Sequence, residues 1–81
     1  GADAQRIPED WRTRLDEMLA RSHNLATFYA MREELTALWN RTNATREQLV
    51  AELQAWCHKA EASGIRQLQE MSIRMRSYAL A

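Results

Sequence analysis

Glycine and proline are almost absent, with two and one among 81 residues. The common residues instead (Ala, Leu, Arg, Glu and Gln) are strong helix formers, so the chain is expected to be all-helical. Cysteine is equally scarce. A single thiol cannot close an internal disulfide, and nothing requires an oxidising compartment. Eleven basic and eleven acidic residues cancel, leaving no overall field to steer the molecule onto nucleic acid or anionic lipid. No run approaches the eighteen apolar residues of a membrane span, so direct membrane insertion is excluded and a cytoplasmic location is expected. The opening "GADAQRIPEDW" has no apolar h-region, which argues against a signal peptide in this chain. Its abrupt start suggests a piece of a longer protein.

What is present is enough for one small domain. Hydrophobic residues make up 46% and charged residues 27%, a globular rather than a disordered balance. Residues 1–81 are expected to form a single helical domain, with 1–7 a disordered or cloning-derived leader. Charge is mildly uneven: residues 1–20 hold five acids against three arginines, and 65–81 hold three arginines against one acid. That suits helix ends packing antiparallel.

Apolar spacing places helices at about 8–21, 25–40, 46–62 and 65–80. Pro8 suits a first helical position, and Glu9 and Asp10 complement the helix dipole. Trp11, Leu15, Met18 and Leu19 make an apolar face. The pattern pauses at "RSHN", where Ser22 or Asn24 is able to cap a second helix. Leu25, Phe28, Met31 or Arg32, Leu35, Leu38 and Trp39 carry that helix to the Asn- and Thr-rich "NRTNAT". Thr45 to Gln48 has capping-box spacing. Leu49, Leu53, Trp56, Cys57 and Ala60 form the third stripe, which Ser63-Gly64 ends through a left-handed glycine. Ile65, Leu68, Met71 or Ser72, Met75 and Tyr78 or Ala79 line the fourth helix. The expected architecture is a small antiparallel bundle of three to four helices joined by short turns.

The reactive residues do not assemble into a site. Cys57 and His58 are adjacent, and adjacent helical positions point about a hundred degrees apart, so they chelate one ion poorly. Cys57 reads as a small core residue and His58 as a solvated one. A Cys-His nucleophile meets the same objection. Glu-x-x-His, the mark of carboxylate-bridged di-iron bundles, does not occur, and Glu33, Glu34, Glu47, Glu52 and Glu61 read as a solvated face. No catalytic residue, metal or cofactor is therefore assigned. A helix-turn-helix reading of "AEASGIRQLQEMSIRMR" has a turn glycine and the basic Arg66, Arg74 and Arg76. It puts Glu70 where a buried aliphatic belongs. Nucleic acid accordingly stands as an improbable partner, behind a protein partner or self-association through apolar helix faces. Core or interface roles fall to Trp11, Phe28, Leu35, Trp39, Leu53, Trp56, Cys57, Ile65, Leu68, Met71, Met75 and Tyr78.

The stretch from Tyr29 to Leu80 resembles the soluble helical tail of bacterial acyl-CoA (delta-9 type) fatty acid desaturases. The likeness rests on Tyr29, Leu35–Trp39, Gln54–Cys57, Ala60-Glu61, Ser63–Ile65, Leu68 and Arg76–Tyr78. Met71 and Met75 stand where that tail usually has Phe and Leu. The iron-binding histidine boxes of such enzymes are absent, so no catalytic residue carries over. The resemblance implies a non-catalytic accessory domain of lipid metabolism, on the cytoplasmic side of a membrane enzyme. A second resemblance is to a helical segment of insertion-element transposases, which share the cadence Y…L…LW…W…A…SG.

Overall fold

The structure is a computed structural model and describes residues 9–80. Pro8 and the leader 1–7 lie outside the described residues. Three helices and no strands occur among the described residues: α1 spans Glu9–Trp39, α2 Arg46–Ala62 and α3 Arg66–Ala79.

The expected break between 21 and 25 does not occur. α1 runs through Ser22, His23 and Asn24 as one 31-residue helix, so the bundle has three helices, the lower of the expected three to four, and the separate stretches 8–21 and 25–40 are one. Those residues cost only a few tenths of a kcal/mol each within a helix. Ending one helix and nucleating another costs far more when neither glycine nor proline forces it. Competence to cap is not an instruction to stop.

The other two boundaries follow local chemistry. Thr45 Oγ1 accepts from the Gln48 amide at 3.1 Å, and Gln48 Oε1 accepts from the Thr45 amide at 2.9 Å. This reciprocal pair satisfies two donors that the first turn of α2 would otherwise leave open. Gly64 adopts φ +74°, a conformation that costs residues with a Cβ. Beside it Ser63 Oγ donates to the Ala60 carbonyl at 2.6 Å and accepts from the Ile65 amide at 3.1 Å. Three residues thus carry the chain from α2 into α3, and the two helices pack against each other.

α2 lies between its neighbours and contacts both. Met31 and Leu35 of α1 meet Leu53, Trp56, Cys57 and Ala60 of α2, with Ile65 and Leu68 closing the far side. Phe28, Leu38, Met71, Met75 and Leu80 are partly buried against this core. Trp56 donates its indole N–H to the Met31 carbonyl at 2.8 Å, inside the core. A large apolar side chain is thereby buried with its one polar atom satisfied. Outside the core, Lys59 pairs with Glu34 at 3.0 Å, and Arg41 pairs with Glu52.

Helix lengths then decide the shape. At 1.5 Å per residue α1 is about 46 Å long, against about 26 Å for α2 and about 21 Å for α3. The shorter pair can cover only half of α1. Residues 9–26 are all exposed, and the molecule measures 66 × 23 × 13 Å. It is a three-helix head on a one-helix stalk.

Candidate interaction surface

The stalk carries an apolar stripe of its own. Trp11, Leu15, Met18, Leu25 and Tyr29 recur at spacings of four, three, seven and four, with Ser22 filling the gap between Met18 and Leu25. Leu19 lies beside them. All six apolar side chains are exposed, Leu15 at 46% and the others at 56–62%. On a helix of 3.6 residues per turn, this stripe is centred roughly 140° from the face formed by Phe28, Met31, Leu35 and Leu38. It is therefore not a continuation of the head's core. One helix presents two faces, and only one of them is covered.

The charged residues of the stalk are arranged around that stripe. Asp10 precedes Arg14 by four residues, Glu17 precedes Arg21, and Arg12 precedes Asp16. Such spacings support a helix by a few tenths of a kcal/mol each. Arg14 and Arg21 flank one side of the stripe, while Leu19 and Ala26 flank the other. Where the stalk joins the head, an open groove of about 500 Å³ is lined by Arg21, Asn24, Leu25, Phe28, Ile65 and Gln67. At the opposite end a cleft of about 170 Å³ lies between Leu38, Trp39, Leu49, Val50, Leu53 and Ala79, with Arg46 at its edge.

The candidate residues divide between these surfaces. Leu35, Leu53, Trp56, Cys57, Ile65 and Leu68 are buried, and Phe28, Met71 and Met75 are half-buried against them. Of the residues expected in the core or at an interface, Trp11 and Trp39 are outside the core, 62% and 53% exposed. Trp11 lies beyond the reach of α2, and Trp39 sits at the end of α1, to one side of its packed face. Tyr78 is 86% exposed, because the packed side of α3 passes through Leu68, Ser72 and Met75.

Cys57 and His58 are not brought together. The thiol is fully buried, and the His58 side chain is 74% exposed. Among the described residues no three His, Cys, Asp or Glu side chains converge on a point that could hold a metal ion.

Glu61 is exposed, as a solvated face requires, and is paired as well. Arg76 grips it with both arms of its guanidinium, Nε to Oε2 at 2.6 Å and Nη2 to Oε1 at 3.1 Å. The buried Ser72 hydroxyl donates to Oε2 at 2.6 Å, and His58 Nδ1 stands 3.9 Å from Oε1. The Arg76 hydrogen bonds, then that of Ser72, hold the Glu61 carboxyl down to about 2, and Arg76 is raised in return. The group ties α3 to α2. Its members are eleven and fifteen residues from Glu61, so only the fold at Ser63–Ile65 brings them together.

Among the described residues the head is closed, one stalk face is naked and no three metal-ligating side chains converge. One family model matches, over residues 3–80, and it describes a transposase. Comparisons with curated proteins and with solved structures return no match.

This finding overturns the desaturase resemblance and, with it, the assignments to lipid metabolism and to the face of a membrane enzyme. Leu35, Trp56, Cys57, Ala60 and Leu68, which carried that resemblance, are core residues here. A packed helical core selects such residues whatever enzyme it serves. The match also removes the grounds for setting nucleic acid aside, since balanced net charge says nothing about the rest of a transposase. No helix among the described residues is long and apolar enough to cross a membrane. The second resemblance, to insertion-element transposases, is the one that stands: the chain belongs to the ISL3-type DDE transposase family.

Proposed function

We propose that residues 1–81 act as one non-catalytic helical packing element of a transposase, working in the DNA-containing cytoplasm. Its head is an antiparallel hairpin of α2 and α3 laid on the second half of α1. Pairings of Met31 with Trp56, Glu34 with Lys59 and Arg41 with Glu52 support that orientation for α1 and α2. Those of Glu61 with Ser72 and Arg76 support it for α2 and α3. The element's task is to hold the stalk rigidly and present its apolar stripe to another protein surface. One observation carries this reading: about 27 Å of helix bears a row of Trp, Leu, Met and Tyr side chains that stay 46–62% exposed among the described residues. Exposed contiguous apolar surface on that scale marks an interaction site.

The test is a transposition assay with a transposase containing this chain and the double substitution Leu15→Glu/Met18→Glu. Transposition should fall at least tenfold while the protein stays soluble and the head melts as before. Unchanged transposition would discard the docking role. DNA strand cleavage by the 81-residue chain alone would discard the non-catalytic reading.

A further inference from the structure

We infer that the occupant of the stalk stripe is a second copy of this chain, its stalk packed in parallel as a short two-stranded coiled coil. The inference rests on the docking role above and names the partner.

The first argument is periodicity. Positions 11, 15, 18, 22, 25 and 29 alternate by four and three without exception, the seven-residue repeat of two helices wound on each other. Trp11, Met18 and Leu25 occupy one seam position, and Leu15, Ser22 and Tyr29 the other. A surface built to lie on a sheet or in an irregular groove has no need of an unbroken 3.5-residue period.

Orientation follows from the flanking residues. In a parallel pair Arg14 faces Leu19 of the other copy, and Arg21 faces Ala26. The arginine stems then lie across apolar surface while their guanidinium groups reach water. Each of these arginines also has an acid four residues before it on its own helix, Asp10 and Glu17, so two copies approach without a like-charge barrier. An antiparallel pair of the same overlap would instead set Arg21 against Arg21. Ser22 sits at mid-seam, and a small polar group there is matched only by its own counterpart, which fixes register.

Area and access agree. The six apolar side chains together offer roughly 600 Å² per copy, about 1,200 Å² for the pair, the lower edge of stable specific interfaces. Because the stripe lies far round α1 from its packed face, the two heads hang on the outer sides of the stalk pair. They do not obstruct it.

Sedimentation equilibrium on the 81-residue chain tests the pairing. The mass should rise from 9.4 kDa toward twice that between about 1 µM and several hundred µM, as fits an interface at this edge of the range. Leu15→Glu/Met18→Glu should hold it at the monomer value throughout, while Ala20→Glu, on the far side of the helix, should not. A monomer at every concentration overturns the proposal. If the chain is monomeric yet the stripe substitutions still cripple the transposase, the docking role stands and the second copy is rejected. Orientation is read from Leu25→Cys under mild oxidation. Parallel stalks bring position 25 against itself and cross-link rapidly. Failure to cross-link in a demonstrated dimer overturns the parallel arrangement, since antiparallel stalks set position 25 beside position 15.

Discussion

The two halves of α1 are the same helix with different reasons for being one. From Phe28 to Trp39 it is held by tertiary burial: Met31 and Leu35 are covered, and the Met31 carbonyl takes the Trp56 indole. From Glu9 to Ala26 every residue is exposed, and only propensity, the acidic first turn and charge spacing act. A segment that short is marginal on its own in water; fused to the head, it is spared the cost of nucleation. Secondary structure is thus continuous across a boundary at which the stabilising forces change completely. The apolar content does not change there. What changes is whether another helix is long enough to reach it.

The tryptophans break this comparison most sharply. Trp56→Ala removes a buried ring and leaves a cavity, costing about 3–5 kcal/mol, roughly all that a core of this size supplies. The head should lose its cooperative thermal transition in circular dichroism. Trp11→Ala should leave the same transition within about 0.5 kcal/mol, as surface changes do. Equal effects from the two would mean that the stalk folds back onto the head. Amide exchange sharpens the same point. In dilute, monomeric protein the amides of 13–26 should exchange by local fraying, and those of Leu53–Ala60 only by global opening. Uniform protection along α1 would erase the distinction between stalk and head.

A smaller effect probes the joint between α1 and α2. Thr45→Ala removes one half of the capping box, and the head should lose about 1 kcal/mol, seen as a lower urea midpoint at unchanged slope. Thr13→Ala, in the stalk, should leave that midpoint where it is, although Thr13 Oγ1 also donates to a carbonyl, that of Glu9, at 3.1 Å. Equal shifts in the two variants would show that the stalk contributes to the head's stability.

The elements that sequence reading placed well are those encoded by neighbours in the chain. Thr45 and Gln48 define the start of α2 between them, and Gly64 marks its end, because both devices work over three or four residues. Ser22 and Asn24 misled for the opposite reason. They favour a cap only if the chain is ending there, and that is decided by the absence of a breaker. The burial of Trp56 but not of Trp11 was hidden because it depends on the relative lengths of three helices. The stripe itself was legible: residues 11 to 29 keep a seven-residue repeat straight through the supposed break. Dividing the helix there concealed it. Family membership had the same weakness, since packing residues alone do not separate one helical segment from another.

The smallest effect expected comes from the Glu61–Arg76–Ser72 group, and it tests whether α3 is fastened to α2 by charge as well as by its core. A carboxyl whose folded value lies below its ordinary one stabilises the fold fully above the ordinary value. That stabilisation drains away as the pH falls toward the folded value. For Glu61 the window runs from 4.5 down to about 2. Melting curves of the parent chain and of Glu61→Gln should therefore differ at pH 6, the variant melting lower, and draw together as the pH falls through that window. Glu34 and Glu52, paired with Lys59 and Arg41, are present in both proteins and cancel in the difference. Because Glu61 and Arg76 are both partly exposed, added salt should narrow the gap at pH 6 without abolishing it, since the Ser72 hydroxyl is buried and salt does not screen it. Two curves that stay parallel from pH 6 to pH 2 would show that the pair contributes nothing beyond its geometry, leaving Leu68 and its neighbours to hold α3 unaided.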